Sequence, residues 1–253
     1  MAERSHDMDA ILEVRGLTKD FAGLRALDEV DVVVRPGEIL GMIGPNGSGK
    51  TTLFNCITGL LEPTRGEVRL AGERIDGLPA HAVVERGLAR TFQLARVFPD
   101  LTGLQNLLVA QPHRDEGLWT ALLRPAAREA IERAEALLDL VGLRAERDQL
   151  ASELSYGQQK LLEFGMGLMK GARLLLLDEP TAGVNPTLTR RLLERIQQLN
   201  AEGISFFIIE HNMHVIMEIS HRVCVLASGQ KIAEGAPAEI RRDERVYQAY
   251  FGA

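Results

Sequence analysis

The stretch Gly44 to Thr52, Gly-Pro-Asn-Gly-Ser-Gly-Lys-Thr-Thr, has the G-x-x-x-x-G-K-[ST] spacing of a phosphate-binding loop. Gly44, Gly47 and Gly49 lack the Cβ that would hold the backbone off a ligand, so successive N–H groups can converge on phosphate oxygens at a helix N-terminus. Lys50 is expected to reach the terminal phosphates and the Thr51 hydroxyl to hold Mg2+. Further along, Asp178 and Glu179 end an apolar run, Leu174 to Leu177. Asp178 suits Mg2+, directly or through water, and Glu179 can take a proton from an attacking water. Leu154-Ser155-Tyr156-Gly157-Gln158 precedes a long helical pattern; its Ser155 hydroxyl, Gly157 amide and helix dipole make a second anion site. One nucleotide hardly needs two such sites from one chain; if the second serves a partner's nucleotide, the chain is half of a composite enzyme.

Those residues need positioning elements. Ile39 to Ile43 reads as a buried strand running into the loop, and Thr52 to Leu60 as the helix leaving it. Ile11 to Val14 and Val30 to Val34 read as strands, and Glu67 to Leu70 with Arg74-Ile75 as a hairpin. Phe21, between the first two strands, is either a core residue or an aromatic face on which a base stacks. Pro79 to Arg86 reads as a helix leading through Gly87 to Phe92 into Gln93. Leu104 to Ala110, Thr120 to Leu123 and Ala126 to Val141 then carry helical periodicity, predicting a helical subdomain inserted over about 94–170 of a single 1–253 domain. From there strand and helix alternate: Gly157 to Met169 helix, Leu174 to Leu177 strand, Pro186 to Leu199 helix, Ile204 to Ile209 strand, Val215 to Ile219 helix, Val223 to Leu226 strand. Such alternation predicts a largely parallel sheet covered by helices. Ser228-Gly229 turns into a last strand, and Pro237 to Phe251 closes the chain as short amphipathic helices.

Composition narrows the partners. The balance of 29 Lys+Arg against 35 Asp+Glu leaves a net charge of −6, a surface that repels nucleic acid. Cys56 and Cys224 have neither metal-ligand spacing nor a disulfide framework and fit a reducing compartment. No apolar run approaches the length of a membrane span and Met1 to Ala10 is polar, so a cytoplasmic protein is expected, with any spanning done by another subunit.

Gly44 to Thr51, Gln93, Leu154 to Gln158, Asp178-Glu179 and His211 stand in the order and spacing of the nucleotide-binding domain of ABC transporters, and the resemblance covers nearly the whole chain. It implies an α/β fold with a P-loop NTPase core, an antiparallel β subdomain and an inserted α-helical subdomain. It further implies ATP and Mg2+ as cofactors. Phe21, Gly44, Asn46, Gly47, Gly49, Lys50, Thr51 and Thr52 would contact ATP; Thr51, Gln93 and Asp178 would hold the metal; Glu179, His211 and Gln93 would serve hydrolysis. Ser155, Gly157 and Gln158 would act on the nucleotide of a second ATPase subunit in a head-to-tail homo- or heterodimer.

Arg90 to Gln93, Val97-Phe98-Pro99, Asn106 to Gln111, Tyr156, Ala182 to Pro186, Glu210 to Met213 and Ala249 to Gly252 resemble the ATP-binding subunit of branched-chain amino-acid importers. That likeness implies a motor peripheral on the inner face of the membrane. Its partners would be transmembrane permease subunits and, indirectly, a solute-binding protein. Tyr156 stands where a glycine is usual, Asn185 where an aspartate is common and Phe21 where a tyrosine is usual, while Phe164 to Gly167 is similar to a urea-importer branch. Urea or amide import, lipopolysaccharide export and a non-transport ABC ATPase stay open as alternatives, as does a phosphate-loop kinase, against which Leu154 to Gln158 argues. Val97, Phe98 and Leu101 are read either as a patch for the membrane subunit or as packing against the helical subdomain.

Overall fold

The computed structural model describes residues 10–91, 96–111 and 125–251. Two sheets organise them. Strands β1 (Leu12–Phe21), β2 (Leu24–Val34), β4 (Arg65–Leu70) and β5 (Glu73–Arg74) form an antiparallel sheet in the order β2-β1-β4-β5. Strands β3 (Ile39–Ile43), β6 (Leu88–Arg90), β7 (Leu174–Asp178), β8 (Ser205–Ile209), β9 (Arg222–Ala227) and β10 (Gln230–Gly235) form the second, in the order β10-β9-β3-β8-β7-β6. It is parallel except at β10, as the strand and helix alternation predicts.

Among the described residues the helices are α1 (Lys50–Ile57), α2 (Ala80–Glu85), α3 (Gly103–Val109), α4 (Pro125–Val141), α5 (Tyr156–Met169), α6 (Pro186–Ala201), α7 (Met213–Ile219), α8 (Pro237–Ile240) and α9 (Glu244–Phe251). Among the described residues, no helix is long and apolar enough to cross a membrane. Among the described residues between β6 and β7, the regular elements are α3, α4, α5 and a 3-10 turn at Ala151–Glu153. The helix expected at Thr120 to Leu123 lies outside the described residues.

The parallel strands are buried on both faces, which is why they read as unbroken apolar runs rather than as alternation. Leu174 and Leu176 belong to a core with Val32, Leu53 and Phe54, under the antiparallel sheet and α1. Leu175 and Leu177 belong to the opposite core, with Leu107 of α3, Leu138 of α4 and Leu161 and Leu162 of α5. Phe207 and Ile209 against Phe206 and Ile208 repeat the same division. The helices inserted between β6 and β7 thus share a core with one face of the parallel sheet.

Three local expectations are corrected. Leu88–Arg90, expected as a connection, is an edge strand paired with Leu174–Leu176, a run too short for periodicity to mark. Strands β1 and β2 extend to a tight turn at Ala22 and Gly23, with φ of 41° and 95°, the left-handed pair that twists a two-residue hairpin correctly. Helix α1 stops at Ile57 rather than Leu60: Gly59 takes φ 69°, and its hydrogens face the Leu78 carbonyl where a Cβ would sit at 2.3 Å.

Register then gathers the chemistry. Asp178 pairs with Ile209 across β7 and β8, and Ile209 with Met42 across β8 and β3. The loop from Gly44, the pair Asp178-Glu179 and the pair Glu210-His211 therefore all leave one edge of the sheet at the C-terminal ends of its strands, where ligands bind in open α/β sheets.

Candidate functional site

The phosphate loop is fitted tightly between its neighbours. A Cβ on Gly44 would lie 2.0 Å from the Leu226 carbonyl oxygen, and one on Gly49, at φ 102°, 2.6 Å from that of Ala26. Gly47, at φ 77°, has nothing within 4 Å and is the glycine of the three that leaves space open. Gly44 and Gly49 are therefore demanded first by close packing against the chain's own backbone, a refinement of the expectation that all three serve ligand approach. Gly49 caps α1 without a side-chain hydrogen bond, so the first N–H groups of the helix are left for an anion. Asn46 and Thr51 are exposed and Thr52 is half-buried. The buried Lys50 folds back, its Nζ donating to the carbonyls of Gly44 (2.8 Å) and Pro45 (2.9 Å). Burial draws its pKa below the ordinary lysine value, while Glu179 and Asp178 pull the other way.

Behind the loop, Asp178 Oδ2 accepts from Arg90 Nη2 at 2.9 Å. The same guanidinium donates through Nη1 to Asn55 Oδ1 (2.7 Å) and Thr58 Oγ1 (3.2 Å) on α1 and its cap, and lies 5.5 Å from the Phe54 ring centroid. Arg90 thus ties the carboxylate at the end of β7 to the helix that follows the phosphate loop. The sequence marks it only as a member of the run Arg90 to Gln93 that resembles importer subunits, without a role of its own, and it lies on β6, the strand expected as a connection.

Glu179 adopts φ 50°, unusual for a residue with a side chain, and its N–H donates to the Ile209 carbonyl at 2.9 Å. One of its carboxylate oxygens, Oε1, lies 2.7 Å from His211 Nε2, so two residues singled out in sequence meet. Glu210, singled out only as a neighbour of His211, turns its buried carboxylate to Thr181 and to the His211 N–H. Lys160 Nζ reaches the Glu179 carbonyl at 3.5 Å. Gln93 lies outside the described residues.

Ser155 caps α5 reciprocally with Gln158: its own N–H and hydroxyl donate to Gln158 Oε1 at 3.0 and 2.9 Å, and Gln158 Nε2 holds Glu146. Gly157 sits against Leu188, where a Cβ would come to 2.9 Å of a methyl carbon. Ser155 and Gln158 line a surface cleft with Asn185, Pro186, Thr187 and Leu188, and no residue of the phosphate loop enters it. Asn185 caps α6, its Oδ1 accepting from the Leu188 N–H at 3.0 Å. The Tyr156 ring covers Gly183, 3.1 Å from where that residue's Cβ would be.

Phe21, at the tip of the β1 and β2 hairpin, is 41% exposed, which removes the core alternative. Its ring lies 5.1 Å from Lys19 Nζ. Of the apolar trio after Gln93, Val97 packs against the helical core while Phe98 is 47% exposed, so the two readings divide between neighbouring residues. His221 accepts from the Ile39 N–H and His214 faces solvent beside Glu218.

Similarity to known proteins agrees with this arrangement. A family described as ABC transporter matches residues 27–182, and one described as branched-chain amino acid ATP-binding cassette transporter matches residues 230–253. The high-affinity branched-chain amino acid transport ATP-binding protein BraF of Pseudomonas aeruginosa is 44% identical over 96% of this chain and 98% of its own. LivG of Escherichia coli, of the same description, is 41% identical over 96% and 98%. A nucleotide-free ATP-binding cassette from an ABC transporter superposes with a TM-score of 0.85 at 34% identity, covering 96% of this chain and 100% of that one. With a matching family across more than half its length and relatives this similar from end to end, the chain belongs to the ABC transporter family as an ATP-binding cassette.

Proposed function

We propose that the chain is the ATP-hydrolysing subunit of an importer for branched-chain amino acids, peripheral on the cytoplasmic face of the membrane. It works with a second ATPase subunit, transmembrane permease subunits and, through them, a solute-binding protein. The substrate assignment draws on the relatives named above and on the C-terminal match at residues 230–253. The Phe164 to Gly167 departure has a packing reason in this chain, since a Cβ on Gly165 would come to 3.2 Å of Leu107. It therefore lends little weight to a urea importer.

In the proposed mechanism Phe21 stacks on the base, while Lys50 and the N-terminus of α1 bind the β- and γ-phosphates, with Gly44, Asn46, Gly47, Gly49 and Thr52 lining them. Mg2+ would be held by the Thr51 hydroxyl, the Asp178 carboxylate and Gln93, oxygen donors of the kind a hard cation takes, and when bound it neutralises phosphate charge. Arg90 keeps Asp178 oriented. Glu179 accepts the proton of the attacking water, and His211, on the neighbouring strand end, turns to the γ-phosphate. Ser155, Gly157 and Gln158 close over the partner's nucleotide rather than this chain's own.

The observation that carries the composite reading is the cleft at the start of α5: Ser155 and Gln158 line it with α6 residues and without the phosphate loop. The N-termini of α1 and α5 do not line a common cleft, and a head-to-tail pair would make use of both. The Glu179→Gln variant tests this. It retains ATP binding, slows hydrolysis by roughly 10² to 10⁴, and accumulates as an ATP-bound dimer in size-exclusion chromatography. Unchanged turnover removes Glu179 from the role of base, and a variant that stays monomeric with ATP removes the composite site. Uptake of labelled leucine by vesicles carrying the chain with its permease checks the substrate, and uptake of urea without leucine reverses it.

A further inference from the structure

The Glu210 carboxylate stands at a junction that the mechanism above does not use. It is 3% exposed, one residue beyond β8, and its own N–H continues the sheet by donating to Met42 at 3.3 Å. Its Oε1 accepts from the Thr181 N–H at 2.9 Å and from the Thr181 hydroxyl at 2.5 Å. Its Oε2 accepts from the His211 N–H at 3.1 Å and, at longer range, from that of Asn212 at 3.5 Å. Every partner is a donor, and the two oxygens face different loops. A carboxylate offers acceptors on both atoms, whereas an amide of the same shape offers one acceptor and would turn an NH2 against N–H groups on the other side.

Those contacts close a ring. The side chain of His211 meets Glu179 at 2.7 Å, the backbone of His211 is held by Glu210, Glu210 holds Thr181, and Thr181 is two residues beyond Glu179. Thr181 also opens the segment running to Asn185, in which the Val184 N–H donates back to its carbonyl at 3.1 Å. We propose that Glu210 is a positioning residue that joins the loop after β7 to the loop after β8, so that the backbone of His211 and the segment Thr181 to Asn185 move as one body while the His211 side chain stays free to exchange Glu179 for another partner. Asn185 and Pro186 line the cleft beside Ser155. A displacement of His211 toward a phosphate in one site is thereby delivered to the surface that serves the other. This inference rests on the roles proposed above for Glu179 and His211.

The test is a double-mutant cycle on the full chain, with single-turnover ATP hydrolysis and equilibrium ATP binding measured for Glu210→Gln, His211→Ala and the pair. Glu210→Gln is expected to leave ATP affinity within about twofold and to lower the hydrolysis rate on the order of tenfold, a change in kcat rather than in KM, as loss of a buried acceptor implies. In the His211→Ala background the same substitution is expected to cost less than about twofold, because residues acting through one another are not additive. Thr181→Val, which removes only the hydroxyl donor, is a milder companion should Glu210→Gln fold poorly. It is expected to slow hydrolysis severalfold with the same loss of effect beside His211→Ala. Effects that multiply in the double variant, or a Glu210→Gln enzyme at full rate, overturn the proposal. A His211→Ala enzyme at full rate instead overturns the reading of the site on which it rests.

Discussion

Replacing Arg90 by methionine tests whether the end of β7 is held as described. Arg90 and Asp178 are each 5% exposed at the side chain and 2.9 Å apart, so water screens the pair little. Removing one member strands the other as a buried charge, which costs roughly 3–5 kcal/mol. For a chain of this size each kcal/mol moves the melting temperature by about 2–4 °C, giving an expected fall of about 6–20 °C. Asp178→Leu alone is expected to cost a similar amount by stranding the guanidinium. The pair Arg90→Met with Asp178→Leu puts apolar groups where both charges were and is expected to recover most of the loss. Urea unfolding followed by circular dichroism reads this directly: the midpoint falls in each single variant and returns in the double, with the slope against denaturant unchanged. Because stability is the readout, the result is independent of how Asp178 serves the nucleotide. A cost below about 1 kcal/mol for Arg90→Met, typical of an exposed pair, refutes the account. So does a double variant as unstable as the sum of the singles.

Phe21→Ala is expected to weaken ATP binding by roughly 5- to 150-fold, the worth of about 1–3 kcal/mol of base stacking, without lowering stability; fluorescence titration with ATP checks it, and unchanged affinity removes the stacking role. Ser155→Arg is expected to abolish steady-state ATPase while leaving nucleotide affinity of the monomer within about twofold, and surviving turnover sinks the composite site. Burial pushes the Cys56 thiol up to about 11 and that of Cys224 up to about 12, so neither reacts with a maleimide in the folded protein near neutral pH. The folded state holds these protons more tightly than the unfolded chain. Their contribution is therefore intact below the ordinary thiol pKa and is lost as pH rises through about 11 and 12, an added alkaline destabilisation that Cys56→Ser and Cys224→Ala should reduce.

What the sequence reveals of this site follows how local each signal is. The phosphate loop, the start of α5 and the acidic end of β7 each concentrate several functional residues within one short segment, so type and spacing suffice to find them. Arg90 and Glu210 stand in runs that resemble importer subunits, Arg90 to Gln93 and Glu210 to Met213, but nothing local tells what either does. Arg90 meets Asp178 from 88 residues away and Asn55 from 35, and Glu210 meets Thr181 from 29. Their roles exist only once β6 lies beside β7, and β7 beside β8, and the three-residue run of β6 is too short for periodicity to announce. The hairpin carrying Phe21 was hidden for another reason: Phe21 and Leu24 are both exposed at its tip, so the alternation that marks a half-buried strand fades there.

The polar groups assigned to phosphate already have partners within the chain. Lys50 is bound to loop carbonyls, His211 meets Glu179, and the Ser155 hydroxyl is given to Gln158. The start of α1 differs, since its backbone N–H groups have no side-chain cap. A phosphate arriving at α1 gains hydrogen bonds that nothing else supplies, whereas one reaching Lys50, His211 or Ser155 must exchange an existing bond for a new one. Exchange of that sort returns little net free energy to binding, because a contact is lost for each one made. On the proposed mechanism its consequence is movement: were His211 to leave Glu179 for a phosphate, the carboxylate would become available to a water at the moment the phosphate to be attacked is in place. Affinity is then set chiefly by the loop, the helix terminus and the stacked base. On that mechanism the exchanging side chains set the rate instead, and because Glu179 is the partner His211 leaves and Glu210 holds the His211 backbone, substitutions at both are expected to change kcat while leaving ATP affinity nearly untouched.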